Sequence, residues 1–433
     1  MAIFKKTFLN FLVLAITACS ILSSNATTSQ AASRMDAETA HGEEALGAEE
    51  IKKEILDDIG ITEKDLASKK KATDISEKLS ELIPEGADDY ARQRASSLIE
   101  TVKKNPKNFG VAIEKYASVE IKKPFIIYSA KNLGKQDPIY YYPISNHGKI
   151  ILVLYVTGDD GGYAAGISTD YASALNELDY QNNEDYLFYE DGQNLYAENH
   201  DATTPLTDTE QSEDCTLSDR EKANAKVFES LSTKNKVDAI LHSYSPESEK
   251  DEASKKNMPL CARGFASKKG FVVRLNTSGC LVPQYKRDET CWAANVATTL
   301  RYLNYSKYKS LTARQVADKM NKKYNKGGSA RDQQRALKKY GVTYSKMDDC
   351  QISFKKVQEN ILAQKPVLIS CYGRSYGHSY TIIGYSTYGG IKQITCYDSA
   401  TNTCCTVEYI KKPRTVFRFK DDIIRWFTTV RCK

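Results

Sequence analysis

Apolar residues are sparse between positions 34 and 120, and where they cluster they recur at helical spacing, as in Glu43–Ile59 and Ala91–Lys104. A stripe this thin predicts a helical arm that packs on something else or frays. From Pro124 the period shortens. Phe125-Ile126-Ile127-Tyr128, Ile139-Tyr140-Tyr141-Tyr142 and Ile150-Ile151-Leu152-Val153-Leu154-Tyr155-Val156 read as β-strands. Asp159-Asp160-Gly161-Gly162 predicts a hairpin turn into Tyr163–Ser168, and a second hairpin joins Tyr186–Tyr189 to Leu195–Ala197 around Asp191-Gly192. The carboxylates of Asp159 and Asp160 are read as turn chemistry rather than calcium ligands. Residues 199–257 are rich in Asp, Glu, Ser, Thr and Lys, with little pattern beyond a short helix near Ala223–Leu231. They predict a solvated linker open to proteases, with Lys255-Lys256 and Lys268-Lys269 as candidate cleavage points.

After about Leu260 the pattern becomes regular again. A helix is expected from Cys291 to about Leu303, with Val296, Leu300 and Leu303 on one face. Thr312 and Gln315 form a capping box for a helix through Met320, and Ser329 caps another that stops at Gly341. Ser353 starts a fourth, ended by Pro366. Only strands follow: Val367–Cys371, Ser379–Tyr385, Gln393–Tyr397, Thr403–Tyr409, Val416–Phe419 and Trp426–Val430. Helices first and antiparallel strands afterwards predict an α+β fold.

The N-terminus pairs Lys5-Lys6 with an apolar run from Phe8 to about Leu22, the parts of a secretory signal peptide over residues 1–32. Ser24-Asn25-Ala26 and Gln30-Ala31-Ala32 both offer small residues for cleavage, while Ile16-Thr17-Ala18-Cys19 resembles a bacterial lipobox that would make Cys19 a lipid anchor. No later stretch is apolar enough for a membrane span. The expected location is therefore secreted or held at the cell surface or envelope. Composition adds one fact that the pattern hides. The net charge of +6 divides into about −15 over residues 1–260 and +21 over residues 261–433. The basic half carries no zinc-finger spacing or RNA-binding signature, so nucleic acid is not expected as a partner. The lysines from Lys307 to Lys339 read as a solvated face, and the charge division reads as one half of the chain masking the other.

Eleven cysteines are present, nine of them after residue 260. Their spacing matches no structural zinc site, and no metal or other cofactor is expected. Setting Cys291 aside leaves eight in that half, which an exported protein is able to pair as disulfides. Cys291 itself opens the helix in Gln284-Tyr285-Lys286-Arg287-Asp288-Glu289-Thr290-Cys291-Trp292-Ala293-Ala294, where the macrodipole and free backbone N–H groups favour the nucleophilic thiolate. A nucleophile needs a base. Of the five histidines only His378 lies in the basic half, at the mouth of an apolar strand with Gly377 leaving room beside it. Asp398, at the end of the next strand, is placed to orient the imidazole, and Asn402 in the following turn is the alternative.

Gln…Cys-Trp-Ala-Ala, then Gly-His before an apolar strand, then Tyr-Asp-Ser-Ala-Thr, resembles the papain-like cysteine peptidases of bacteria over about residues 275–400. The C39-like and staphopain-like families are the nearest in pattern. The resemblance implies a Cys291–His378–Asp398 triad and an oxyanion hole made by the Gln284 side chain with the Cys291 N–H. Gln284 stands seven residues before Cys291, one more than the usual papain-like spacing. The resemblance also implies a zymogen, in which the helical segment 33–120 and the antiparallel β-rich segment 121–198 form an acidic propeptide docked on the basic catalytic domain, 261–433, until the 199–260 linker is cut. The expected function is a secreted cysteine endopeptidase acting on protein or peptide. A papain-like acyl-transfer or peptide-maturation enzyme, and a non-catalytic disulfide-stabilised surface binding protein, are the alternatives.

Overall fold

Among the described residues there are sixteen strands, numbered in chain order. Those of the front half are β1 (Val119–Ile121), β2 (Phe125–Ser129), β3 (Ile139–Asn146), β4 (Lys149–Asp159), β5 (Gly162–Ser168), β6 (Leu187–Glu190), β7 (Leu195–Glu198) and β8 (Thr203–Leu206). The C-terminal half adds β9 (Gly270–Arg274), β10 (Ser345–Asp348), β11 (Val367–Tyr372), β12 (Gly377–Tyr388), β13 (Ile391–Asp398), β14 (Thr403–Glu408), β15 (Val416–Phe419) and β16 (Asp422–Cys432). The computed structural model describes residues 49–66, 74–113, 119–135, 138–159, 162–180, 185–206, 217–244, 270–286, 288–374, 376–411, 414–420 and 422–432. The expected signal peptide, Cys19, Asp160, Cys215, Cys261 and the candidate cleavage lysines lie outside the described residues. The described residues from Lys52 onward form one compact unit. Among the described residues, no helix is long and apolar enough to cross a membrane.

The fold is α+β, and its sheet does not respect the halves read from the sequence. Strands run β10-β16-β11-β12-β13-β14-β5-β4-β3-β2-β6-β7-β8 in one hydrogen-bonded path. The β-rich front segment and the C-terminal sheet meet where β14 pairs with β5, Thr406 opposite Ile167 and Val407 opposite Gly166. The front segment is not wholly antiparallel either, because β2 and β6 pair in parallel.

Helices cover this sheet. In the front half, α1 (Glu85–Lys103) turns Ala87, Ala91, Ala95, Leu98 and Val102 inward. Small residues along that face let it lie close to the strands, so this part of the predicted arm is a core helix. The expected solvated linker is also corrected. It contains α2 (Asp219–Glu229), with a Ser218–Glu221 capping box, and α3 (Thr233–Ser243). Their apolar residues Phe228, Val237 and Ile240, with Leu231 between the helices, are buried in one core cluster, where Phe228 stacks on Tyr128. Sparse apolar positions suffice when each one meets an aromatic on another element.

In the C-terminal half the helices are α4 (Cys291–Leu303), α5 (Ala313–Lys319), α6 (Ala330–Lys339) and α7 (Phe354–Leu362). Thr312–Gln315 is a capping box as read, Ser329 and Ser353 cap as read, and Gly341 follows α6 with φ of 92°. Helices α4, α5 and α6 share a core with Leu368 of β11 and Val430 of β16.

The expected disulfides are not seen among the described residues, outside which Cys261 lies. Cys280, Cys291, Cys350, Cys371, Cys396, Cys404, Cys405 and Cys432 are all free. Cys371 and Cys396 are packed as apolar side chains in one core cluster and Cys404 in another, on opposite faces of the sheet.

Candidate active site

Thr290 caps α4 without a side-chain hydrogen bond, so Cys291 enters the first helical turn where the backbone N–H groups are not consumed by a cap. The Cys291 sulfur is half-buried and bonded to His378 and to the N–H groups of Trp292 and Ser379. Helix α4 is pinned to the sheet behind it, where the Thr381 hydroxyl donates to Oδ1 of the fully buried Asn295 at 2.9 Å. Trp292 is also fully buried, against Gly328, where a Cβ would stand 2.3 Å from the indole. The ring thus fixes the roll of the helix that carries the cysteine, in keeping with its reading as a structural tryptophan.

His378 stands one residue into β12, opposite Cys371 of β11, and is 3% exposed. Asp398 ends β13 opposite Tyr380, two residues along the same face from the histidine. The Nε2–H of His378 donates to Oδ1 of Asp398 at 2.8 Å, which leaves Nδ1 for the Cys291 sulfur. The same carboxylate oxygen accepts from the Ala400 N–H at 2.8 Å, which holds it in place. Asn402 is turned elsewhere, in a left-handed conformation (φ 54°) with its Oδ1 accepting from the Tyr397 hydroxyl at 2.8 Å. Of the two orienters read from the sequence, the structure brings Asp398 to the ring.

The electrostatics follow from this packing. Burial works against a charged His378, yet the Asp398 carboxylate, the Cys291 sulfur and the hydrogen bonds to both raise it to about 10. Burial likewise works against the thiolate, but the histidine charge and the Ser379 and Trp292 N–H groups outweigh it and lower the Cys291 thiol below its ordinary value. The arrangement favours a thiolate beside an imidazolium.

Gln284 is tied to the residue after the aspartate. Its N–H donates to the Ser399 carbonyl at 3.0 Å, and its Oε1 accepts from the Ser399 hydroxyl at 3.5 Å. A turn in which the Asp288 N–H donates to the Tyr285 carbonyl at 3.1 Å takes up chain between Gln284 and Cys291, where the extra residue of spacing falls.

Sequence reasoning missed Phe419. Its ring lies parallel to His378, with centroids 3.9 Å apart and planes at 13°, while Tyr380 meets the imidazole edge-on. The strand Val416–Phe419 was legible, but no local signal marks which histidine it would cover. Tyr372, opposite Gly377, and Phe427 are both exposed, with ring centroids 5.8 Å apart.

A cysteine at a helix N-terminus beside a carboxylate-held imidazole on an antiparallel sheet is the arrangement of a cysteine peptidase-like domain. Consistent with this, residues 280–421 match the model of the Peptidase_C39 like family. No curated protein matches the chain.

Proposed function

We propose that the protein is a cysteine endopeptidase, exported and either secreted or held at the cell surface, and made as a zymogen. The observation that carries the chemistry is the buried His378–Asp398 bond of 2.8 Å beside the Cys291 sulfur. The Cys291 thiolate attacks a peptide carbonyl and forms a C–S bond. Gln284 and the Cys291 N–H hold the resulting oxyanion. His378 passes its proton to the leaving amine as the C–N bond breaks, leaving a thioester. His378 then takes a proton from water, which attacks the thioester and releases the new carboxylate and the thiolate. Asp398 keeps the ring oriented and its charge balanced throughout. The reaction calls on the chain's own side chains and a reduced Cys291. The acidic front half serves as the propeptide, and the site is completed for substrate after a cut in the chain between the halves.

The test is digestion of a peptide mixture in water labelled with heavy oxygen, by wild type and by Cys291→Ala. Label in new C-terminal carboxylates with the wild type alone supports hydrolysis. Products joined to an added amine instead would replace hydrolysis by acyl transfer, and unlabelled, uncut peptides would remove the peptidase reading.

A further inference from the structure

We propose that the front half remains bound after the chain is cut between the halves, so that the working form is a two-segment complex and not a freed C-terminal fragment. The word "working" rests on the peptidase reading above; the docking rests on the interface alone.

The two halves share a fold rather than a contact patch. Strand β5 completes β14, which would otherwise be an open sheet edge. Helix α1 lies across this join, against β4 and β5 on one side and β14 on the other. Below it, Thr101 of α1 donates to Oε1 of Gln393 at 2.6 Å, and Ser386 donates to the same oxygen at 2.8 Å. The Gln393 Nε2 donates to the Ser97 hydroxyl, and Thr101 and Ser386 lie 3.0 Å apart. All four side chains are buried. A glutamine closed on both ends by the other half is a specific lock, because each partner lost leaves a buried polar group unmet.

Apolar burial points the same way. Ile383, Tyr397 and Cys404 of the C-terminal half lie in one cluster with Leu98, Val102, Phe109 and Ile167 of the front half. On the opposite face, Tyr141 and Tyr155 lie in one cluster with Tyr380, Phe417 and Trp426. An interface that resembles a domain core cut in two belongs to the permanent kind.

Its charges do not fit docking by bulk attraction between an acidic and a basic half. Arg418 of the basic half pairs with Asp170, but Arg94 of the acidic half pairs with Glu408, an ion pair of the reverse sense. These groups are largely buried, so salt screens them weakly. The front half also reaches the loop that leads into His378. Lys131 Nζ stands 5.6 Å from the Tyr376 ring, and Arg374 donates to the Lys135 carbonyl at 3.4 Å. Losing that half would remove neighbours from the wall of the site.

The experiment uses the full chain with a specific protease sequence inserted after Lys250. The protein is cut, passed over a sizing column at about 0.15 M and about 1 M salt, and treated in both states with a peptide electrophile directed at thiols. The expected result is co-elution of both fragments at the mass of the uncut chain at either salt, with the electrophile on Cys291 in the joined form. Separation at either salt overturns the proposal while leaving the peptidase reading intact. Joined fragments with Cys291 unlabelled, and label gained only after forced separation, overturn the two-segment working form. Joined fragments that take no label in any state uphold the docking and remove the peptidase reading.

Discussion

Replacing Asp398 by asparagine alters one charge and almost no shape. In the native site Oδ1 of Asp398 accepts from both His378 and Ala400, each at 2.8 Å, within a side chain that is mostly buried. The asparagine oxygen keeps the geometry but loses the charge, so both charge-assisted bonds become neutral at about 1–1.5 kcal/mol each, about 2–3 kcal/mol together. At about 1.4 kcal/mol per factor of ten, kcat/KM falls roughly 30- to 150-fold. The pH profile also moves in a defined direction. His378 is raised to about 10, with the Asp398 charge leading the causes that raise it. In wild type the thiolate–imidazolium pair therefore persists up to that pH, and its acid limit is the lowered Cys291 thiol. In Asp398→Asn the alkaline limb of kcat/KM shifts to lower pH, because the imidazolium gives up its proton more readily. The assay is kcat/KM on a fluorogenic peptide across pH 5–11, with the rate of Cys291 alkylation measured in parallel. Rates within about twofold of wild type and an unmoved alkaline limb would refute the role assigned to Asp398.

Other outcomes follow from neighbouring contacts. Gly328→Ala drives a methyl to 2.3 Å from the fully buried Trp292 ring, so the chain is destabilised by about 1–3 kcal/mol, read as a lower urea midpoint. Phe419→Ala removes the ring stacked at 3.9 Å on His378 and lowers kcat several-fold, about 1 kcal/mol, with little change in KM. Alkylation of unfolded, unreduced protein labels Cys280, Cys350, Cys371, Cys396, Cys404, Cys405 and Cys432 as well as Cys291, and mass spectrometry of the peptides checks each one.

What the sequence disclosed is what local chemistry decides. Thr312, Ser329 and Ser353 announce helices because a side-chain oxygen and the N–H three residues on form one short ring. His378 and Asp398 were paired in advance because consecutive antiparallel strands are the commonest neighbours, and β12 and β13 are such a pair. The polar strand Ser345–Asp348 escaped notice because its stability comes from pairing with β16, not from its own pattern. The short helix read near Ala223–Leu231 is present as Asp219–Glu229, but Thr233–Ser243 went unread, because its burial depends on partners far along the chain such as Tyr189, whose ring lies 4.7 Å from Lys236 Nζ. The β5–β14 join has no local mark at all. It sets Ile167 against Thr406, and nothing near either residue announces the other. The cysteines show the converse error, in which a count suggested bonds while Cys371, Cys396 and Cys404 are free and packed as small apolar side chains.

Peptide hydrolysis at this site requires that Cys291 carry the acyl group. The most direct test is rapid acid quenching of the full chain during turnover of an activated ester, followed by mass spectrometry of the peptide that contains Cys291. An acyl adduct is expected on that peptide in wild type, lost in Cys291→Ala and longer-lived when His378 is replaced. Turnover without an adduct there, or an adduct that survives in Cys291→Ala, would contradict it.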